Sequence, residues 1–138
     1  MKLAVQLYTL RKDYSNGEEF LKILEKVKEI GFDGVEFAGY AGLEPEVIKA
    51  KLDELGLVAV GCHMDLEDYE GDKLEESIRI GKTLGIEYMG IGGADHSTKE
   101  DVDRLVDVFS KANERGKDEG IKFYYHNHTE EFENEIDG

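Results

Sequence analysis

An aromatic run, Phe123-Tyr124-Tyr125, ends in two histidines at alternate positions, His126 and His128, and the glutamates Glu130 and Glu131 follow closely. On an extended strand, residues i and i+2 project to the same side. The spacing therefore predicts that His126 and His128 face one point, with Asn127 turned away. Imidazole and carboxylate are ligands of zinc and of divalent transition metals, and they are also the commonest acid/base groups. The other two histidines, His63 and His96, each come at or just after a short apolar run. Gln6 and Tyr8 close another such run, and Glu36 lies near the end of one more. No G-x-G-x-x-G, P-loop, G-x-S-x-G or C-x-x-C pattern occurs, which argues against dinucleotide, nucleoside triphosphate and serine-hydrolase chemistry.

These side chains need a scaffold that brings distant strand ends together. Residues 3–8 read as a first strand, followed by a loop over 9–14. Ser15 with Glu18 reads as a capping box, after which Phe20, Leu21, Leu24, Val27 and Ile30 recur at helical spacing. Residues 35–37 form the second strand. Pro45 opens a helix carrying Val47, Ile48, Leu52 and Leu55. Residues 57–62 are a continuous apolar strand ending at His63. Asp72 with Glu75 opens a third helix, and residues 88–91 form the fourth strand. Ser97 or Thr98 caps a fourth helix bearing Val102, Leu105, Val106, Phe109 and Ala112, and the aromatic run is strand five.

Gly31, Gly56, Gly85 and Gly120 each stand between a helix and the next strand, where a left-handed residue ends a helix. Strict strand–helix alternation with short apolar strands predicts a parallel sheet covered by helices. All its strands point one way, so their carboxyl ends share one rim, where such folds bind ligands. All four histidines fall on that rim. Glu36 lies between Val35 and Phe37 and points opposite to them, into either the mouth of the sheet or the helix layer.

The chain has 138 residues and a formal net charge of −15. That length suits one domain with one core. The charge opposes binding to nucleic acid or to an anionic membrane, since both would be repelled. The single cysteine, Cys62, makes no intrachain disulfide and fits a reducing compartment. The strand-like start shows no secretory leader, and no stretch approaches the roughly 18 apolar residues of a membrane span. A cytoplasmic location is expected.

The pieces VQLYTLR (5–11), GVEFAGY (34–40), VGCH (60–63) and YHNHTEEF (125–132) resemble the sugar phosphate isomerases/epimerases of the xylose isomerase-like TIM-barrel superfamily. The resemblance runs through the chain in order. It implies a (β/α)₈ barrel holding a divalent metal (Mn, Mg, Co or Zn) through carboxylates and histidines at its strand ends. The implied reaction is proton abstraction alpha to a carbonyl of a small sugar, polyol or keto-sugar, or its phosphate, through an enediolate. Only about the first five strands and four helices of such a barrel fit in residues 1–138, read as one domain truncated after strand five.

By the same resemblance Glu36 and His63 are the catalytic pair. His126, His128 and Glu131 lie where strand five contributes to metal or substrate binding, and which of them is a ligand stays open. The assignment carried forward is Gln6, Tyr8 and His126 for substrate, His128 and Glu131 for metal. The isolated chain is expected to be inactive, because relatives place further ligands on later strands. Its open strand edges would favour self-association. Two rivals remain. One is a non-enzymatic α/β binding module, whose sheet would have a non-sequential strand order. The other is a different superfamily activity, such as inosose dehydration or metal-dependent DNA cleavage, the latter opposed by the charge.

Overall fold

A computed structural model describes residues 1–133. The tail 134–138, to which the sequence assigns no element, lies outside them. Five strands make one parallel sheet: β1 (Ala4–Gln6), β2 (Gly34–Ala38), β3 (Val58–Met64), β4 (Tyr88–Ile91) and β5 (Lys122–Tyr125). Their order is β1-β2-β3-β4-β5, each pairing parallel with the next. This sequential order is that of a barrel segment and not of the rival open-sheet module. The helices are α1 (Gly17–Ile30), α2 (Pro45–Leu55), α3 (Asp72–Leu84), α4 (Lys99–Gly116) and the single turn α5 (Glu130–Glu133).

The core lies between the helices and one face of the sheet. Val35 and Phe37 of β2, Met89 and Ile91 of β4 are all wholly buried there, packed with Phe20 and Leu24 of α1 and Ile48 of α2. The alternate positions of the same strands form the other, open face. On it Val58, Val60 and Tyr88 remain about half exposed. Glu36 belongs to this open face, which settles the direction its neighbours left ambiguous.

The order of elements is as the sequence predicts, and several boundaries differ. Strand β1 stops at Gln6, because residues Leu7–Leu10 wind into a 3₁₀ turn that drops Leu7 into the core. The cap of α1 is Asn16, whose side chain accepts from the Glu19 N–H at 3.0 Å. The Glu19 carboxylate reaches back to the Ser15 N–H at 2.7 Å. The predicted Ser15/Glu18 box is thus shifted by one residue, since an Asn amide oxygen caps as well as a Ser hydroxyl. Glu18 pairs instead with Lys22. Thr98 caps α4 in a capping box with Asp101. Helix α4 ends at Gly116 and continues as a 3₁₀ turn, Lys117–Glu119, so Gly120 closes that turn and not the helix.

One irregularity matters for the site. Val35 pairs with Ala59 and Glu36 with Gly61, so Val60 is an extra residue in β3. Such a bulge re-aims every side chain beyond it. Ala59 faces the core. Strict alternation from Ala59 would send Cys62 to the open face and His63 into the helices. The bulge reverses both: Cys62 is wholly buried in the core and His63, opposite Ala38, joins Glu36 on the open face.

Candidate functional site

At the carboxyl ends of the strands the open face becomes polar. The Glu36 carboxylate is the hub. Its Oε2 accepts from the Gln6 amide at 2.8 Å, and its Oε1 accepts from the Tyr124 hydroxyl at 2.8 Å. His63 places Nε2 3.5 Å from the same Oε1. The Gln6 Nε2 also lies 3.2 Å from His63 Nδ1. Four strands, β1, β2, β3 and β5, therefore meet at one carboxylate.

Two glycines make this convergence sterically feasible. Tyr124 must cross β4 and β3 to reach β2. A Cβ on Gly90 would stand 2.5 Å from its ring, and one on Gly61 would stand 3.3 Å from Glu36 Oε1. Burial lowers the His63 pKa below its ordinary value; Glu36 opposes that shift, while His126 and His128 add to it. Burial, then the Glu36 hydrogen bond, raises the Tyr124 phenol.

The other predicted side chains sit around this hub. The His126 ring centroid is 5.0 Å from that of His63 and 4.9 Å from that of His128. Strand β5 stops at Tyr125, so both histidines lie in the loop beyond it, and the strand alternation invoked from the sequence does not operate there. They converge nonetheless. Gln6, Tyr8, His63, His126 and His128 line one cavity of about 510 Å³, completed by Ala38, Gly39, Met64, Asp65, Asp68, Gly92 and Gly93. Tyr8 is on its rim, about half exposed, with the Arg11 guanidinium 4.0 Å from its ring centre.

Glu131 is placed differently. Its carboxylate accepts from the Tyr125 hydroxyl and from the His128 N–H. The hydrogen bond from Tyr125 is the main cause holding Glu131 down to about 2. Glu131 lines a second, apolar groove of about 480 Å³ between α4 and β5, together with His96, Val106 and Phe109. His96 is thus the one histidine outside the main cavity, and its Nδ1 lies 2.9 Å from the Ala94 carbonyl.

Ligand atoms of His128, Glu130 and Glu131 lie within 4.8 Å of one another. Ligands of one tetrahedral ion stand about 3.3–3.6 Å apart, so these side chains would close in to share an ion. A carboxylate has about four acceptor sites, so the two bonds made by Glu131 leave room for an ion. Imidazole with two carboxylates suits Mn, Co or Zn. The donor types suit such an ion, with His128 shared between cluster and cavity and Glu130 added to the expected pair.

Two contributors escaped the sequence reading. In the sequence Tyr124 reads only as part of the apolar strand, although it stands two residues before His126 and on the same side as Glu36. The bulge at Val60 carries no signal in an unbroken apolar run.

The geometry defines a parallel α/β barrel segment with a histidine- and carboxylate-lined mouth. A family model, that of the xylose isomerase-like TIM barrel, matches residues 24–137. The chain belongs to this family. No curated protein matches it. Among solved structures it is similar to a sugar phosphate isomerase/epimerase from Parabacteroides distasonis, at 20% identity and a TM-score of 0.73, covering 98% of this chain and 54% of that one. It is also similar to an AP endonuclease, family 2, from Brucella melitensis (19%, 0.70, covering 94% and 57%). An IolI protein with a bound zinc atom is a third (17%, 0.64, covering 91% and 51%). These likenesses show the fold, and this chain spans about half the length of the structures it matches.

Proposed function

We propose that this chain carries one side of an isomerase or epimerase site, acting on a small sugar, polyol or keto-sugar, or its phosphate. The observation that supports this most is the Glu36–His63 pair, 3.5 Å apart, beside a cavity that also presents His126 and His128. Glu36 is the base that takes a proton from the carbon alpha to the substrate carbonyl. His63 presents Nε2–H toward the same space and donates to the substrate oxygen as charge develops on it. Tyr8, His126 and the free carbonyl end of Gln6 orient hydroxyls. His128 and Glu131, with Glu130, would hold the metal, and a bound divalent ion there would act as a Lewis acid. Epimerisation needs a second acid/base group on the opposite substrate face, so the chain alone is expected to be inactive.

Calorimetry with Mn or Zn, followed by NMR of the histidine side chains during addition of a keto-sugar phosphate, tests the reading. Micromolar metal binding lost in His128→Ala, with sugar-dependent shifts at His63 and His126, supports it. No binding of either, in a folded protein, overturns it.

A further inference from the structure

We infer that Gln6 is a positioning residue that fixes the tautomer of His63, with Tyr124 holding the far side of the carboxylate against which both are aligned. The argument is one of donors and acceptors. A side-chain amide has a donor end and an acceptor end, and the two look alike in shape. Glu36 Oε2, 2.8 Å away, is an acceptor, so the end of Gln6 facing it must be the NH₂. That nitrogen carries two hydrogens. One goes to Glu36, and the other is available to His63 Nδ1 at 3.2 Å.

Nδ1 is then an acceptor, and the ring proton of neutral His63 must sit on Nε2. Nε2 is the nitrogen 3.5 Å from Glu36 Oε1, where a donor is the favourable partner. The Tyr124 hydroxyl approaches the same Oε1 at 2.8 Å and limits how far the carboxylate can rotate toward either neighbour. Glu36 therefore receives donors on both oxygens, and one chain of hydrogen bonds sets the orientation of every member.

The inference changes what each residue can do. With Nδ1 engaged by Gln6 and Nε2 protonated, His63 has no free lone pair and serves as a donor, while Glu36 remains the acceptor of the pair. The catalytic consequence rests on the isomerase reading; the tautomer does not. Gln6 acts through His63 and Glu36, while its remaining carbonyl oxygen lines the cavity.

Long-range proton–nitrogen NMR of His63, in chelator-treated protein at a pH where the ring is neutral, tests this without substrate or metal. The expected spectrum has a pyridine-type Nδ1 and a pyrrole-type Nε2. Gln6→Met keeps the side-chain length and removes both donor and acceptor, and should move Nδ1 toward the shift averaged over both tautomers. A merely structural role for Gln6 would leave the nitrogen shifts in place. An Nδ1–H tautomer in the unaltered protein overturns the inference whether or not any variant folds. So does an unchanged tautomer in folded Gln6→Met. Failure of the metal and sugar titrations would sink the isomerase reading and leave this result standing.

Discussion

Cys62 and His63 are adjacent, yet they meet opposite environments. Burial pushes the Cys62 thiol up from an ordinary 9.0 to about 11, so thiolate is scarce at neutral pH. A thiol reagent should react slowly with the native protein and rapidly after denaturation; fast native labelling would contradict the burial. The sign is fixed: a pKa raised by folding gives stability that is present below 9.0 and is lost as pH rises toward 11. His63 has the reverse sign, because burial lowers its pKa. Its contribution is present above the ordinary 6.5 and is lost as pH falls. Urea midpoints should therefore drop less below that pH in His63→Asn than in the unaltered protein. Tyr69, in the turn after β3, donates to the Gly90 carbonyl at 2.7 Å and is almost fully buried. Tyr69→Phe removes that hydrogen bond and should cost about 0.5–1.5 kcal/mol in chemical denaturation. At this scale residue type and strand-end position were enough to single out Gln6, Glu36, His63, His126 and His128. Their mutual pairing was not legible, because it depends on which face each strand turns toward the helices.

The elements were the most readable layer, and for a physical reason. Gly31, Gly56 and Gly85 end α1, α2 and α3 in the left-handed conformation, which few other residues adopt. Each therefore marks a helix-to-strand junction in the sequence itself. Neighbouring helices are further tied by ion pairs, the part-buried Lys51 with Glu25 and the exposed Arg79 with Glu46 and Arg115 with Glu75, the exposed ones contributing about 0–1 kcal/mol each. The bulge was unreadable, since residues 57–62 show no polar alternation whose phase could slip. It nevertheless decides the site. Deleting Val60 would remove the extra residue and leave Ala59, Gly61, Cys62 and His63 opposite residues 35–38 in regular alternation, so Cys62 would stay in the core and His63 on the open face. The expected result is a folded variant that keeps the Glu36–His63 pairing; loss of the His63 shifts in a folded deletion variant would contradict the placement of the bulge at Val60. Gly90 is a milder case. A methyl group there meets the Tyr124 ring, which can swing toward the open face. Gly90→Ala should cost about 1–3 kcal/mol and break the Tyr124–Glu36 hydrogen bond, read as a downward shift of the Tyr124 phenol titration.

A closed barrel of this type needs eight strands, and the described residues supply five. Among them β1 pairs only with β2, and β5 only with β4, so each edge presents unpaired backbone donors and acceptors. The open face carries the half-exposed Val58, Val60 and Tyr88, and the groove beside α4 is lined by Val102, Leu105, Val106 and Phe109. No helix among the described residues is long and apolar enough to cross a membrane. Apolar patches of this kind drive association, while a net charge of −15 opposes it by long-range repulsion. Salt should decide between the two. At low ionic strength the Debye length is about 30 Å and falls to about 10 Å at 0.1 M, so repulsion fades while apolar attraction remains. The 138-residue chain should therefore bind a hydrophobic dye and show, in sedimentation, a weight-average mass that rises with protein concentration and with salt. Arg or Lys in place of Val58 and Val106 should weaken the association and dim the dye. A dry monomer that ignores both variables would mean that the edges and the open face are protected by packing that the sheet order does not provide.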